Sequence, residues 1–252
     1  PDLTARLDYT FKEFGNDIVR VVGVGEWLIP NKLQRQQPLP DFYTDSVRAV
    51  AERGWIYKQH MVALEEQKAH LDVWEKVNKD IPLADLHWSM DHCYGIDQET
   101  IDRAIDLGVG ISSHSARYLE GMVQSPGAPP FRMILDSDLM VGGGSDGARI
   151  STMNPWCMLY FAVTGKNHAG EQINPGQSIS RQEIVRIWTQ PQGWFCKEEK
   201  KMGAIEVGKF GDFVVLSDDF FDQQAVPDEN IRKLTSVLTV VDGKIVHDAG
   251  VL

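Results

Sequence analysis

Five short runs of β-branched and apolar residues, each separated from the next by a stretch with helical spacing, constrain this chain more than any other feature. The runs are Asp17–Gly25, Trp55–Met61, Leu86–His92, Val109–His114 and Leu139–Gly144. Between the first four lie Asp41–Arg53, Glu65–Lys79 and Gln98–Leu107, whose apolar residues recur at helical intervals, with Gly54 and Gly108 placed to close helices. A strand followed by a one-helix crossover returns parallel to its predecessor, so the pattern specifies βα units around a parallel sheet. A further helix-like stretch, Leu3 to Phe14, opens the chain.

After Asp146 the rhythm changes. Pro155–Gly165 and Ser180–Thr189 read as helices, the second begun by Ser180 with Glu183 three residues on, a capping box. A β-rich tail follows: Ala204–Leu216 is expected to form two short strands around a Gly-Lys-Phe-Gly turn, and Val237–His247 a hairpin turning on Asp242-Gly243. The most loop-like stretch is Pro126–Pro130.

At 252 residues and 42% apolar content, the chain can bury a substantial core. The net charge of −11 has no basic stripe, which argues against a nucleic-acid partner, and no apolar run reaches the roughly 18 residues of a membrane span. Cys93, Cys157 and Cys196 lie far apart and form no CxxC pair, which suits a reducing compartment; the expected location is the cytoplasm.

In a barrel of parallel strands, chemistry is carried by residues at the strands' C-terminal ends. Here those ends are Glu26, His60, His92, His114 and, through Gly142-Gly143-Gly144-Ser145, Asp146. Imidazoles and carboxylates together suit zinc and similar divalent ions, and an open coordination position lowers the pKa of a bound water to about 7. An Asp beside such an ion can accept that water's proton, and Asp146 is placed for the role. His114 is open between a substrate contact and a loop polar group. His70 and His87 are read as structural, and Cys93 as a buried small residue worth following. Trp27, Trp88, Tyr94 and Trp156 either line an apolar substrate pocket or belong to the core, with Trp156 assigned to the core.

These residues resemble the amidohydrolase superfamily, in particular the YtcJ-like branch of amidohydrolase family 3, which includes N-substituted formamide deformylases. Met202–Leu216 (MGAIEVGKFGDFVVL) is similar to that family's G-x-I-x-x-G-K-x-A-D-x-x-V-L segment, and Thr239–Val246 to its T-x-x-x-G-K-x-V ending. His60, Asp91-His92 and Ser145-Asp146 match its fifth-, sixth- and eighth-strand motifs in order. The resemblance implies an α/β fold: a partial TIM-type barrel, strands four to eight, over residues 1–200, with a β-sandwich segment over 201–252. It further implies a divalent metal, zinc or else iron or manganese, as one or two ions held by His60, His92 and Asp146, with Asp146 also as general base.

Three departures matter. The family's first-strand His-x-His occurs nowhere in this sequence. The fourth-strand position of its carboxylated Lys reads Gly-Val-Gly-Glu, so Glu26 either supplies the bridging carboxylate or marks a lost site. The Arg before the sixth-strand motif is replaced by Leu86-His87-Trp88. The chain is therefore expected to be one piece of a longer polypeptide, with the missing N-terminal half or a second copy as partner and inactive alone if that half carries the His-x-His pair. The expected activity is hydrolysis of an amide, formamide or ester bond in a small organic substrate, with Trp27, Trp88 and His114 contacting it. The alternative is a non-catalytic barrel or scaffold. A phosphate-binding barrel lyase fits worse, because the Asp of GGGSDG would repel phosphate.

Overall fold

The computed structural model describes residues 2–119, 127–148 and 150–251; Pro126, the start of the expected loop, lies outside them. Helix α1 (Leu3–Tyr9) precedes strand β1 (Gly23–Glu26), short α2 (Asn31–Gln34) and α3 (Asp41–Glu52). Then come β2 (Ile56–Met61), α4 (Leu64–Asn78), β3 (Ser89–His92), α5 (Gln98–Leu107), β4 (Gly110–His114), α6 (Phe131–Leu135) and β5 (Val141–Gly144). The remainder carries α7 (Pro155–Thr164), α8 (Arg181–Thr189), and strands β6 (Phe213–Leu216), β7 (Ser236–Val241) and β8 (Lys244–Asp248).

Strands β1 to β5 form one sheet in sequential order, every pair parallel. Because successive side chains alternate and paired positions share a face, the register sorts the sheet into two sides. Lys58 and His60 align with Ser89 and Asp91, then with Gly110 and Ser112, and His114 aligns with Gly144. That side is polar. The other carries Tyr57, Met61, Met90, Ile111 and Val141, all buried under the helices; Tyr57 meets Trp74 of α4 at 5.8 Å between ring centroids. Toward the strand starts the polar side is closed by Trp194 and Phe195, and Lys58 lies 5.3 Å over the Phe195 ring.

Local chemistry places the helices where the sequence indicates. Asp97 caps α5 by accepting from Thr100 N–H, and Gly108 ends it in the left-handed region at φ 66°. Ser180 and Glu183 form the expected capping box on α8. The hairpin β7–β8 turns on Asp242 and Gly243, both at positive φ, as a two-residue turn between twisted strands requires.

Several boundaries differ from expectation. The first strand begins at Gly23 instead of Asp17, because Asn16 Oδ1 accepts from the Ile18 and Val19 N–H groups and folds residues 13–21 into a closed loop. The opening helix stops at Tyr9, well short of Phe14. The third strand starts at Ser89, and His87 precedes it in a left-handed cap at φ 56°. Within Ala204–Leu216 only Phe213–Leu216 is a strand, so the tail is a single three-stranded antiparallel sheet, β6-β7-β8. Among the described residues, no helix is long and apolar enough to cross a membrane.

Two substitutions test this packing. Trp74→Ala should cost about 3–5 kcal/mol, since its ring is fully buried between Tyr57 and Trp88. Gly108→Ala should cost about 1–3 kcal/mol, because a Cβ there sits on a left-handed backbone 2.7 Å from the Ala84 Cβ. Urea unfolding midpoints check both; an unchanged midpoint in either contradicts the packing described.

Candidate metal centre

The C-terminal ends of the five parallel strands gather at one rim of the sheet, and four of the five strand-end groups named from the sequence touch there. Glu26 Oε1 stands 2.9 Å from His60 Nδ1 and 3.2 Å from His92 Nε2. The His92 ring lies 4.2 Å from the rings of both His60 and His114, nearly perpendicular to the latter. Asp146 Oδ2 is 4.0 Å from His92 Nδ1, which adds the fifth. One donor atom each from Glu26, His60 and His92 falls within a sphere of mutual separations no larger than 4.8 Å, and the same holds for His92, His114 and Asp146.

Backbone conformation makes this convergence possible. By register His92 pairs with Met61, and strict alternation would send it toward the helices. Its φ of 76° breaks the alternation and turns the ring to the rim; Asp146, at φ 50°, is likewise left-handed. Non-glycine residues held there cost roughly 1–3 kcal/mol each, and such strain concentrates at functional sites.

Hydrogen bonding fixes the His60 tautomer. Arg35 Nη2 lies 3.3 Å from His60 Nε2, and a guanidinium only donates, so Nε2 accepts and Nδ1–H donates to Glu26. Behind the strand a buried polar relay runs from His70 through the Tyr43 and Tyr57 hydroxyls to Gln59, whose amide donates to the His60 carbonyl at 2.7 Å. Arg35 and this relay carry no periodic or motif signal and were not legible in the sequence.

The electrostatics follow from these contacts. Hydrogen bonds from His60, then from His92, hold the Glu26 carboxyl well below the usual carboxylate range. Burial pushes His114 well below the ordinary imidazole value, with the neighbouring His92 adding to the effect. Burial raises Asp146, opposed by His92 and assisted by the Glu26 charge. Asp91, on the polar side below the rim, is pushed up to about 7 by burial, with Lys58 opposing.

Of the substrate-contact expectations, Trp27 stands beside the cluster, its exposed ring edge-on to His60 at 5.6 Å. His114 is there too, 6% exposed at the end of β4. Trp88 is not. It is fully buried ahead of β3, donates its indole N–H to the Trp55 carbonyl at 2.9 Å and packs on Tyr57 and Trp74, so it belongs to the core. Tyr94 is buried 6.3 Å from both His92 and His114, measured between rings. Trp156 lines an apolar groove of about 810 Å³ between α7, α8 and β6 that shares no residue with the cluster. His87 stacks on Trp194 at 4.7 Å and donates to its carbonyl, a structural role.

A parallel α/β sheet whose rim gathers histidines and carboxylates defines the class, and comparison with known proteins supplies the family. The sequence profile of the amidohydrolase family matches residues 14–247, and the chain belongs to that family. YtcJ of Bacillus subtilis (strain 168), whose name describes it as an amidohydrolase, is 24% identical over 214 residues, covering 80% of this chain and 39% of its own length. An N-substituted formamide deformylase of Arthrobacter pascens is 27% identical over 119 residues, 47% of this chain and 21% of its own. An adenosine deaminase from Xanthomonas campestris, solved with bound zinc, superposes with a TM-score of 0.59 at 13% identity, over 81% of this chain and 49% of that one. The chain thus spans less than half the length of each of these proteins.

Asp91 yields a pH test. Its folded-state pKa is above the value of about 3.9 for an exposed Asp, so between about pH 4 and 7 the folded chain holds more protons than the unfolded one. Stability contributed by this group is therefore present at low pH and is lost as pH rises through that window. Asp91→Asn should flatten this fall in thermal stability, measured with chelator present; an unchanged pH slope contradicts the burial assigned to Asp91.

Proposed function

We propose that the protein is a metal-dependent hydrolase that cleaves the C–N bond of an amide or formamide, or an ester bond, in a small organic substrate. Glu26, His60 and His92 would hold a divalent cation, and Asp146 would be the general base and a further ligand. The observation that carries this reading is the meeting of His60 and His92 on one Glu26 oxygen, with Asp146 on the other side of His92. Two imidazoles and a carboxylate form a donor set that zinc favours and that iron and manganese accept. The buried His114 Nδ1, which has no hydrogen-bond partner among the described residues, further marks the cluster as built for a ligand. The zinc bound in the adenosine deaminase and the N-substituted formamide named as the deformylase's substrate favour the same reading.

A cation held there supplies Lewis-acid polarisation and an activated water. The chain's own residues supply the rest. Asp146, partly exposed and with its proton affinity raised by burial, takes a proton on a carboxylate oxygen and returns it to the leaving nitrogen or oxygen. Glu26 stays ionised and orients the rings of His60 and His92, and a bound cation would take the place of the proton that His60 Nδ1 donates to Glu26. Trp27 offers an apolar wall at the mouth. We assign residues 1–200 to strands four to eight of a barrel and 201–252 to a β-sandwich segment, with the free sides of β1 and β5 paired by further polypeptide in the working protein. A non-catalytic scaffold is the competing reading, favoured by the absence of a His-x-His pair from the sequence.

The test is hydrolysis of a panel of amides, formamides and esters by the natural polypeptide carrying this sequence. Asp146→Asn should lower kcat/KM by about 10²–10⁴-fold, the usual range for removing a general base. Turnover equal to the wild type would count against the reading, and absence of turnover on every substrate class would favour the scaffold.

A further inference from the structure

Arg35 brings a fixed positive charge to the rim, and most of its hydrogen-bonding capacity is unused. It follows α2 in the connection between β1 and α3, and its side chain is half exposed. Nη2 lies 3.3 Å from His60 Nε2, and Nε lies 3.6 Å from Glu66 Oε1. Glu66 is itself pinned, because its Oε2 accepts from the Val62 and Ala63 N–H groups at 2.9 and 3.2 Å where β2 passes into α4. The guanidinium is therefore gripped along its Nε–Nη2 edge, and Nη1 has no acceptor among the described residues. What remains open is the forked Nη1–Nη2 end, the geometry that pairs two N–H groups with the two oxygens of a carboxylate. Trp27 meets the same His60 ring edge-on at 5.6 Å and is 46% exposed, so a charged fork and an apolar wall flank one imidazole.

We infer that Arg35 selects the substrate: the molecule cleaved carries a carboxylate, one or two carbons from the scissile bond, that pairs with the Nη1–Nη2 fork while its apolar part lies on Trp27. The inference rests on the proposed hydrolase reading and narrows its substrate class. Distance sets the spacing. Only the width of the His60 ring separates the guanidinium from Glu26 Oε1, which lies 2.9 Å from Nδ1, so a carbonyl at the centre and an anion on Arg35 belong to one short molecule. Charge sets the sign. Glu26 and Asp146 make the rim acidic and the whole chain carries −11, so an anionic substituent is repelled unless a cation is placed to receive it. A fork already oriented by Glu66 also loses little side-chain freedom on pairing, which favours it over a mobile surface cation. In a filled centre Nε2 carries the His60 proton and no longer accepts, which leaves the Nη2 hydrogens free for the same anion.

The experiment compares N-benzoylglycine with N-benzoylglycinamide, which differ only in the anion, as substrates of the zinc-loaded natural polypeptide, followed by release of benzoate. Wild type should favour the acid by about tenfold or more in kcat/KM, the scale of hydrogen bonds to a charged group. Arg35→Gln should bring the ratio of the two near one, and Arg35→Glu should invert it; a ratio cancels any loss that strikes both substrates alike. Binding gives a readout that needs no turnover: calorimetric titration with 4-phenylbutyrate and with 4-phenylbutanol should show a preference for the acid that Arg35→Gln abolishes. Circular dichroism verifies that each variant is folded. Hydrolysis of both compounds with a ratio that Arg35→Gln and Arg35→Glu leave unchanged overturns the inference while the hydrolase reading stands. A preference for 4-phenylbutyrate that depends on Arg35, without turnover of either amide, supports the anion site and removes the hydrolase reading instead. If 4-phenylbutyrate binds no tighter than 4-phenylbutanol, or binds equally to wild type and Arg35→Gln, Arg35 is not an anion site.

Discussion

Parallel pairing of β1 to β5 is the constraint on which everything else depends. Strands that all run the same way bring their C-terminal ends to one rim, and sequential order places Glu26, His60, His92, His114 and Asp146 side by side although 120 positions separate the first from the last. The crossovers that enforce this direction are the helices α3, α4 and α5. Their apolar faces bury Tyr57, Met61, Met90 and Ile111 on one side of the sheet. Stability is invested on that side, which leaves the other free to carry Lys58, His60, Asp91 and His114. Most parallel sheets are apolar on both faces, so a polar face is a departure that function explains better than folding does.

The rim also shows how strain and hydrogen bonding share the work of positioning. Left-handed backbone at His92 brings in a side chain that regular alternation would aim at the helices, and Asp146, two residues beyond the end of β5, is left-handed as well. Glu26 then ties His60 to His92, Arg35 settles the orientation of His60, and the relay from His70 through Tyr43, Tyr57 and Gln59 braces the His60 backbone from the helix side. Rings locked on both sides are what a coordination site needs, because ligand geometry must be preset within a fraction of an ångström.

Much of this was legible in the sequence, for reasons that differ between elements. Helices α5 and α8 announce themselves through Gly108 and the Ser180–Glu183 box, since caps are local chemistry. The Asp242-Gly243 turn is equally local. The strand ends were readable because each closes on a titratable residue. The early part of the first strand was not, because the Asn16 side chain competes with the ladder for backbone N–H groups, and the first half of Ala204–Leu216 turns where a strand was expected. Trp88 was misassigned for a similar reason: its apolar character fits a pocket wall and a core equally well, and only its burial ahead of β3 decides. Arg35 reaches His60 from a segment without periodicity, a tertiary contact that no local pattern encodes.

The central claim is that the rim of the parallel sheet is a metal centre built on Glu26, His60 and His92. It is tested most directly by anomalous diffraction from crystals of the zinc-loaded protein, recorded on either side of the zinc absorption edge. The account predicts a strong anomalous peak bounded by Glu26, His60 and His92. A map with no peak at the rim, or with zinc only at outlying histidines such as His168 or His247, would contradict it.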